Sequence, residues 1–405
     1  MFKQFNPKQY LAIDIANHYG LDKLNYEERI NWVKAHYDTL ENYQDKADEP
    51  ILYAKAVNAL RMADKGLAVG HTVAFDSASS GLQLMSLLTN CESGMRLTGL
   101  IDPDNRMDAY TMITKRINER LKDNPDIDMV SVSRSEAKKA IMVHLYGSKA
   151  VPEQVFGEAL NVFYSVMDEM CHGASCLLSW LLKSWDENRD SYIWVMPDNH
   201  TVYIPVMVQK QTKLNVQANN TRFSISTIYY EQGCQETGLS NAANVVHSID
   251  AYVLRSLVRR CNYDKDKVLK FKALNAQVPP TTVEQYHWVN DRYNATRIAD
   301  MAMIYALDAN TLPMINQACR DALNALCDHV LEYEAFEVVT VHDSFACHPN
   351  HVQRLRQQYN EILASLYESS ILEDILSQLY QEDITIDVGE KIHAQAIRNS
   401  NYAIC

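Results

Sequence analysis

The chain has 405 residues, of which 47% are hydrophobic and 22% charged, proportions that exclude a disordered chain and allow two or three domains with a substantial core. Its net charge of −13 argues against a nonspecific grip on nucleic acid, which depends on many Lys and Arg contacts to phosphate, but leaves room for a local basic channel. Nine cysteines, an odd number without a Cys-x-x-Cys pair, fit reduced thiols better than a disulfide framework or a zinc ribbon. Cys171, His172 and Cys176 accordingly read as structural. No window approaches the ~20 uncharged apolar residues of a membrane span, and the N-terminal apolar stretch is short and interrupted by Asp14, so the chain reads as soluble and cytosolic.

In chain order, residues 8–70 read as several helices, with an acidic surface turn at Asp45–Glu49. The run Val73, Ala74, Phe75 is β-prone and ends in Asp76. Small residues and Gly81 follow, then the helical pattern Leu82, Met85, Leu87, Leu88, so strand, turn and helix are expected. Residues 105–190 read as mostly helical, broken near Asn124 and Pro125 and again near Gly147 and Pro152. From Tyr192 to Tyr230 the pattern turns β-prone, interrupted at Pro197 and Asn199, which predicts a hairpin and an extended loop. Helices resume from about Asn244. Val278-Pro279-Pro280 interrupts a charged segment that reads as an insertion. Finally "FEVVTVHDSFACHP" alternates like a strand, turns at His342 and Asp343, and yields to a long amphipathic helix from about His351. The basic clusters along the chain, such as Lys115, Arg116, Arg120 and Lys122, each read alone as solvated helix faces.

Two carboxylates, Asp76 and Asp343, are delivered in the same way, each behind a short β-prone run. Side by side at ~4 Å they would repel by a few kcal/mol in a partly buried setting, so a cation is expected to hold them. Mg²⁺ is the natural candidate, because it takes oxygen ligands and is commonly bound by one or two carboxylates plus substrate phosphates. A third element is "SRSEAKKAIMVHLYGSK", Ser133 to Lys149. Arg134 and Lys138 are four apart and share a helical face, where two cations can grip a triphosphate. Tyr146 lies two turns beyond Lys138, rotated by ~80°, where Gly147 ends the helix, so it addresses a different part of the same ligand.

These three elements in this order resemble the single-subunit, phage-type and mitochondrial RNA polymerase family. "AFDSASSGLQ" is similar to its first catalytic motif, "RSEAKKAIMVHLYGSK" to its fingers helix and "VHDSF" to its third motif. "LAIDIANHYGLDKLNYEERINWV", "WVMP", "NVVHSIDAYVLR" and the terminal "YAIC" also have counterparts there, so the likeness runs nearly end to end. The resemblance implies a right-hand α/β (α+β) fold. Residues 1–104 would form the first part of the palm and 105–246 the fingers, with a promoter-reading hairpin near 192–230. Residues 247–405 would complete the palm, with an insertion near 262–325 and a C-terminal foot. It implies DNA-templated transfer of nucleotidyl groups from NTPs to an RNA 3′-hydroxyl with two Mg²⁺ ions. Asp76, Asp343 and the Ser77 carbonyl would be metal ligands. Lys138 and Tyr146 would be catalytic residues beside Asp76 and Asp343; Arg134 and Lys138 would contact the triphosphate, and Tyr146, Gly147 and His247 the sugar and nascent pair. Lys139, Lys149, Lys210, Lys213 and Arg222, with Phe223, would contact nucleic acid.

The chain departs from the family in lacking its large N-terminal domain, part of its palm and thumb, and an Asp-x-x-Gly-Arg segment; Ala12 stands where a triphosphate-binding lysine is common. The likeness is strongest to the larger, C-terminal, catalytic subunit of the heterodimeric split podophage RNA polymerases. A smaller polymerase subunit is therefore an expected partner, with a single-stranded-DNA-binding factor as a possible recruiter and the bacterial host cytoplasm as the location. Two alternatives stand beside this one. A family-A-like DNA polymerase is opposed by Ser344 after Asp343 and by the different spacing of Gln83, and a noncatalytic transcription subunit would retain the fold without the chemistry.

Overall fold

A computed structural model describes residues 1–124, 126–218, 221–238, 240–280 and 285–405. Helix α1 (Pro7–Ala16) starts at Asn6, whose side chain accepts from the Gln9 N–H while the Gln9 side chain bonds back to Asn6; Pro7 occupies the first turn, where no N–H is needed. Every residue from Tyr10 to Ala16 is buried, so α1 is a core helix. α2 (Tyr26–Ala35) and α3 (Pro50–Asp64) pack on it. The acidic turn is in fact the end of a 3₁₀ segment, Tyr37–Lys46, followed by a bend.

Strand β1 (Val73–Asp76) buries Val73 and Phe75 and exposes Ala74 and Asp76, the period-2 pattern of a half-buried strand. α4 (Ser80–Leu88) follows and is buried all round, then α5 (Glu92–Leu97). α6 (Ala109–Lys122), α7 (Arg134–His144), α8 (Ala150–Phe156), α9 (Leu160–Met170) and α10 (His172–Lys183) make up the helical middle. The break at Asn124 is present, and Pro125 lies outside the described residues. The second expected break is present at residues 145–149, and Pro152 sits just past it in the first turn of α8, where proline removes no intrahelical bond.

The β-prone stretch contains two hairpins instead of one hairpin and an extended loop. β2 (Ser191–Val195) pairs with β3 (Thr201–Pro205) around Asn199 at φ 61°, and β4 (Met207–Ala218) pairs with β5 (Thr221–Gln232) as a long arm. The two residues between β4 and β5 lie outside the described residues. α11 (Ser240–Cys261) begins ahead of the expected Asn244.

α12 (Lys265–Asn275), α13 (Trp288–Thr296), α14 (Met301–Ala306) and α15 (Gln317–Leu331) then form a satellite with its own core, in which Val268, Phe271, Met303, Leu323 and Cys327 are buried together. This core spans the segment read as inserted; residues 281–284 are outside the described set. Arg292 ties the satellite to the main body by a bidentate pair with Asp374 at 2.9 and 3.1 Å.

β6 (Val339–Val341) and β7 (Ser344–Cys347) lead into α16 (Val352–Glu368), α17 (Ile371–Tyr380) and α18 (Ala394–Arg398). The principal sheet is antiparallel in the order β1-β7-β6, with Asp76 opposite Ser344 and Val341 opposite the same residue on the other side. The C-terminal residues extend it: Ser77 bridges to Ile404, and the Cys405 N–H donates to the Asp76 carbonyl at 3.0 Å.

One side chain joins the first helix, α16 and the C-terminal segment. Arg356 is fully buried, donates to Tyr10 Oη at 2.9 Å and to the Asn401 carbonyl at 3.0 Å, and lies 4.7 Å from the Phe2 ring centre and 4.9 Å from that of Tyr26. A desolvated guanidinium is tolerated here because aromatic faces and carbonyl oxygens replace its water. Arg356→Ala empties this cage and leaves Tyr10 short of a partner, so urea unfolding should show a loss of about 3–5 kcal/mol, against less than about 0.5 kcal/mol for an exposed control such as Lys183→Ala.

Candidate functional site

The two acids singled out from the sequence meet because of strand register. Asp76 ends β1 opposite Ser344, and the tight β6–β7 turn, with His342 at φ 55°, places Asp343 immediately before that residue. The Ser77 N–H donates to the Asp343 carbonyl at 3.1 Å, which locks the two strand ends together. Both aspartates line one polar cavity of about 270 Å³, together with Arg134 and Lys138 of α7. Asp76 is exposed and Asp343 half-buried, and neither carboxylate has an ion-pair partner among the described residues. Two unneutralised carboxylates facing a solvent-filled cavity fit divalent cations of the Mg²⁺ type, whose remaining ligands come from substrate oxygens and water. Among the described residues no cluster of three or more His, Cys, Asp or Glu offers a closed, all-protein metal cage.

Ser77 is held firmly. Its hydroxyl donates to Gln83 Oε1 at 3.1 Å, and its carbonyl accepts from the Ser79 N–H at 3.0 Å. Gln83, fully buried, also accepts from Tyr359 Oη at 2.9 Å and donates to the carbonyls of Thr98 and Ala403. A buried amide satisfied on both ends rigidifies the turn that follows Asp76.

α7 starts with a capping box between Ser133 and Glu136, and this sets the direction in which Arg134 and Lys138 point. Arg134 forks onto Asp108 at 2.6 and 3.1 Å and donates to Thr111 Oγ1 at 2.9 Å. Burial pushes the Asp108 carboxyl up, but the Thr111 and Arg134 hydrogen bonds outweigh it and hold it below the usual carboxylate range. Lys138 Nζ sits 5.2 Å from the Tyr110 ring centre, and Tyr110 Oη lies 2.9 Å from Ser79 Oγ. The helix that carries the cations is thereby tied to the turn after β1.

Tyr146 and His247 are brought together as expected, with ring centres 4.9 Å apart and planes inclined by 49°. Gly147 is buried at φ 88°, in the left-handed region that favours glycine. Gly81 has a different role from the one its place in a small-residue turn suggests. A Cβ there would come within 2.6 Å of Tyr146 Oη, so the glycine makes room for the tyrosine, not for a ligand. Burial, and then the charge of Asp250, push the Tyr146 phenol up to about 12.

The nucleic-acid residues are not gathered in the same way. Lys139 and Lys149 are exposed and outside the cavity lining. On the long arm, strand pairing puts Lys210 and Phe223 on one face and Lys213 and Arg222 on the other, and Lys210 lies 3.4 Å from Glu231. The first of these faces is apolar toward its tip, with Leu214, Val216, Phe223 and Ile225 exposed. Ala12 is buried in α1 and does not line the cavity.

Sequence reasoning missed Asp108, Tyr110, Arg106 and Asp250. The last had a signal, since it follows His247 by three residues on one helix and so shares its side. Asp250 Oδ2 lies 3.5 Å from Ser80 Oγ, and burial, then the charge of Asp343, raise its carboxyl to about 6.

Acids without counter-ions, a cationic helix across a small polar cavity and an aromatic pair beside it are a donor set of the kind that suits a polyphosphate with divalent cations. The chain belongs to the DNA-dependent RNA polymerase family, whose model matches residues 6–274 and 301–402 and so leaves out 275–300 in the helical satellite. It is similar to a probable DNA-directed RNA polymerase of Gelasinospora, 20% identical over 376 residues, covering 88% of this chain and 41% of that protein. It is also similar to T7 RNA polymerase of Escherichia phage T7, 22% identical over 339 residues, covering 62% of this chain and 38% of that one. With a probable DNA-directed RNA polymerase of Neurospora crassa the match is 25% over 170 residues, covering 38% and 19%. The chain spans less than half the length of each of these relatives.

The raised Asp250 pKa has a definite sign. The folded state holds its proton more tightly than the unfolded state does, so stability present below about pH 4 is lost as pH rises through about 6. In EDTA, Asp250→Asn should gain on wild type by on the order of 2–3 kcal/mol between pH 4 and pH 7.5, read from urea midpoints. A pH-independent difference would refute the assignment.

Proposed function

We propose that this chain is the catalytic part of a DNA-dependent RNA polymerase, transferring nucleotidyl groups from NTPs to an RNA 3′-hydroxyl on a DNA template. The observation that carries this reading is the delivery of Asp76 and Asp343, far apart in sequence, by paired strand ends to one cavity that also receives Arg134 and Lys138. Asp76 and Asp343 would hold two Mg²⁺ ions. Ions bound there would make the 3′-hydroxyl a better nucleophile and offset charge on the departing pyrophosphate. Lys138 and Arg134 would draw the triphosphate against α7. Tyr110 would hold Lys138 in reach while Asp108 keeps Arg134 oriented.

In this reading β1, β6 and β7 belong to a palm and the helices from α6 to α10 to fingers. Tyr146 and His247 would read the ribose 2′-hydroxyl, because a site built around that hydroxyl leaves a polar group unpaired when a deoxyribose enters. The long β4–β5 arm would serve as a promoter-reading hairpin.

A second, smaller subunit would supply the upstream part of the relatives that this chain does not span, and a single-stranded-DNA-binding factor would recruit the pair. The bacterial host cytoplasm is the corresponding location. Among the described residues no helix is long and apolar enough to cross a membrane.

Asp76→Asn and Asp343→Asn should each lower nucleotide incorporation on a primed RNA/DNA scaffold by on the order of 1,000-fold or more, with the melting temperature retained; near-normal elongation by either variant refutes the reading. Tyr146→Phe should incorporate NTPs at close to the normal rate while gaining dNTP incorporation, measured as the ratio of the two kcat/KM values. Comparing the purified chain with a coexpressed pair tests the split. Equal elongation rates would show that no second subunit is needed.

A further inference from the structure

The cavity holds a cation for which neither the protein nor the reading above has yet supplied a partner. Arg106 lies in the loop before α6, where its backbone N–H is fixed by Asn25 Oδ1 at 2.8 Å, and its side chain lines the cavity that also receives Asp76, Asp343, Arg134 and Lys138. Its Nε is shut away from solvent without a partner, and its two Nη groups, on a half-buried side chain that lines the cavity, make no hydrogen bond or ion pair among the described residues. A partly desolvated guanidinium without an acceptor is costly, and its Nη groups are the donors that a ligand in the cavity can reach.

The neighbouring acids do not meet this need. Asp22 is close enough to feel the charge of Arg106, but its carboxylate is taken by Lys23 at 2.6 Å. Asp108 is taken by Arg134 and Thr111. Asp76 and Asp343 are the carboxylates assigned to divalent ions. What remains for Arg106 is an incoming oxyanion, and a planar guanidinium suits phosphate oxygens better than any other side chain does.

We propose that Arg106 binds the polyphosphate of the incoming nucleotide, and the pyrophosphate released from it, from a wall of the cavity separate from α7. This rests on the nucleotidyl-transfer reading. It also gives the chain a third cation for the tail, next to Lys138 and Arg134, where α1 contributes only the buried Ala12.

The test uses the active complex and single-nucleotide addition on a preassembled primed RNA/DNA scaffold. Arg106→Ala should raise the KM for NTP by about 10- to 100-fold, the range for losing a charge-assisted contact, with kcat changed far less. The pyrophosphate concentration needed for the reverse reaction should rise in parallel, and scaffold affinity should hold. Arg106→Lys, which keeps the charge but not the fork, should fall between. An unchanged KM for NTP in Arg106→Ala overturns the proposal, as does weaker scaffold binding at constant KM, which would assign Arg106 to a backbone phosphate. A fall in melting temperature and kcat that Arg106→Lys fails to rescue would make the residue structural and overturn it too. A wild-type complex that adds no nucleotide defeats the nucleotidyl-transfer reading itself, and is recognised because the control fails, not the variant.

Discussion

The pairing of β1 with β7 is the constraint on which the site depends. β1 ends in Asp76 and β7 begins just after Asp343, and each strand is only four residues long. Their antiparallel register sets Asp76 against Ser344, and because side chains alternate with a period of two, a slip by one residue would turn Phe75 out of the core and Asp76 into it. The buried Phe75 and Phe345, directly paired, are therefore what holds the acids at the edge of the cavity. The hydrophobic core pins the register, and the register places the charge.

Charge organises the surroundings of those acids. Asp108 engages Arg134, Tyr110 carries Lys138, and Asp22 engages Lys23, so most cations near the cavity are oriented before any ligand arrives. Asp76 and Asp343 face this arrangement without counter-ions of their own, and burial, with the charge of Asp343 added, raises the carboxyl of the neighbouring Asp250. Such an excess of negative charge is tolerable where divalent cations enter and costly where they do not.

Away from the cavity the chain solves separate packing problems. Arg356 fastens the first helix to α16 and to the C-terminal residues, and those residues in turn bond to the strand that ends in Asp76. The helical satellite keeps a core of its own and meets the rest through Ile298, buried in the main core, and through polar links such as Arg292 with Asp374 and Arg259 with Asp300. The β4–β5 arm is a two-stranded ribbon with an apolar side and a polar side near its tip, and therefore presents two chemically different surfaces.

The local chemistry of the site was legible in the sequence. The strand before Asp76, the turn at His342 and Asp343, and the helical spacing of Arg134 and Lys138 are all expressed in periodicity and turn residues, which act over a few positions. The start of α11 and the strand character of residues 209–218 were misread, because helix ends and polar strands are decided by neighbours more than by propensity. That Gly81 clears space for Tyr146, that Lys210 and Lys213 fall on opposite faces, and that Asp250, Tyr110 and Arg106 share the surroundings of Asp343 were decided only by the tertiary structure. Those relations join residues far apart in the chain, and no local pattern encodes a distance that only the packed core creates.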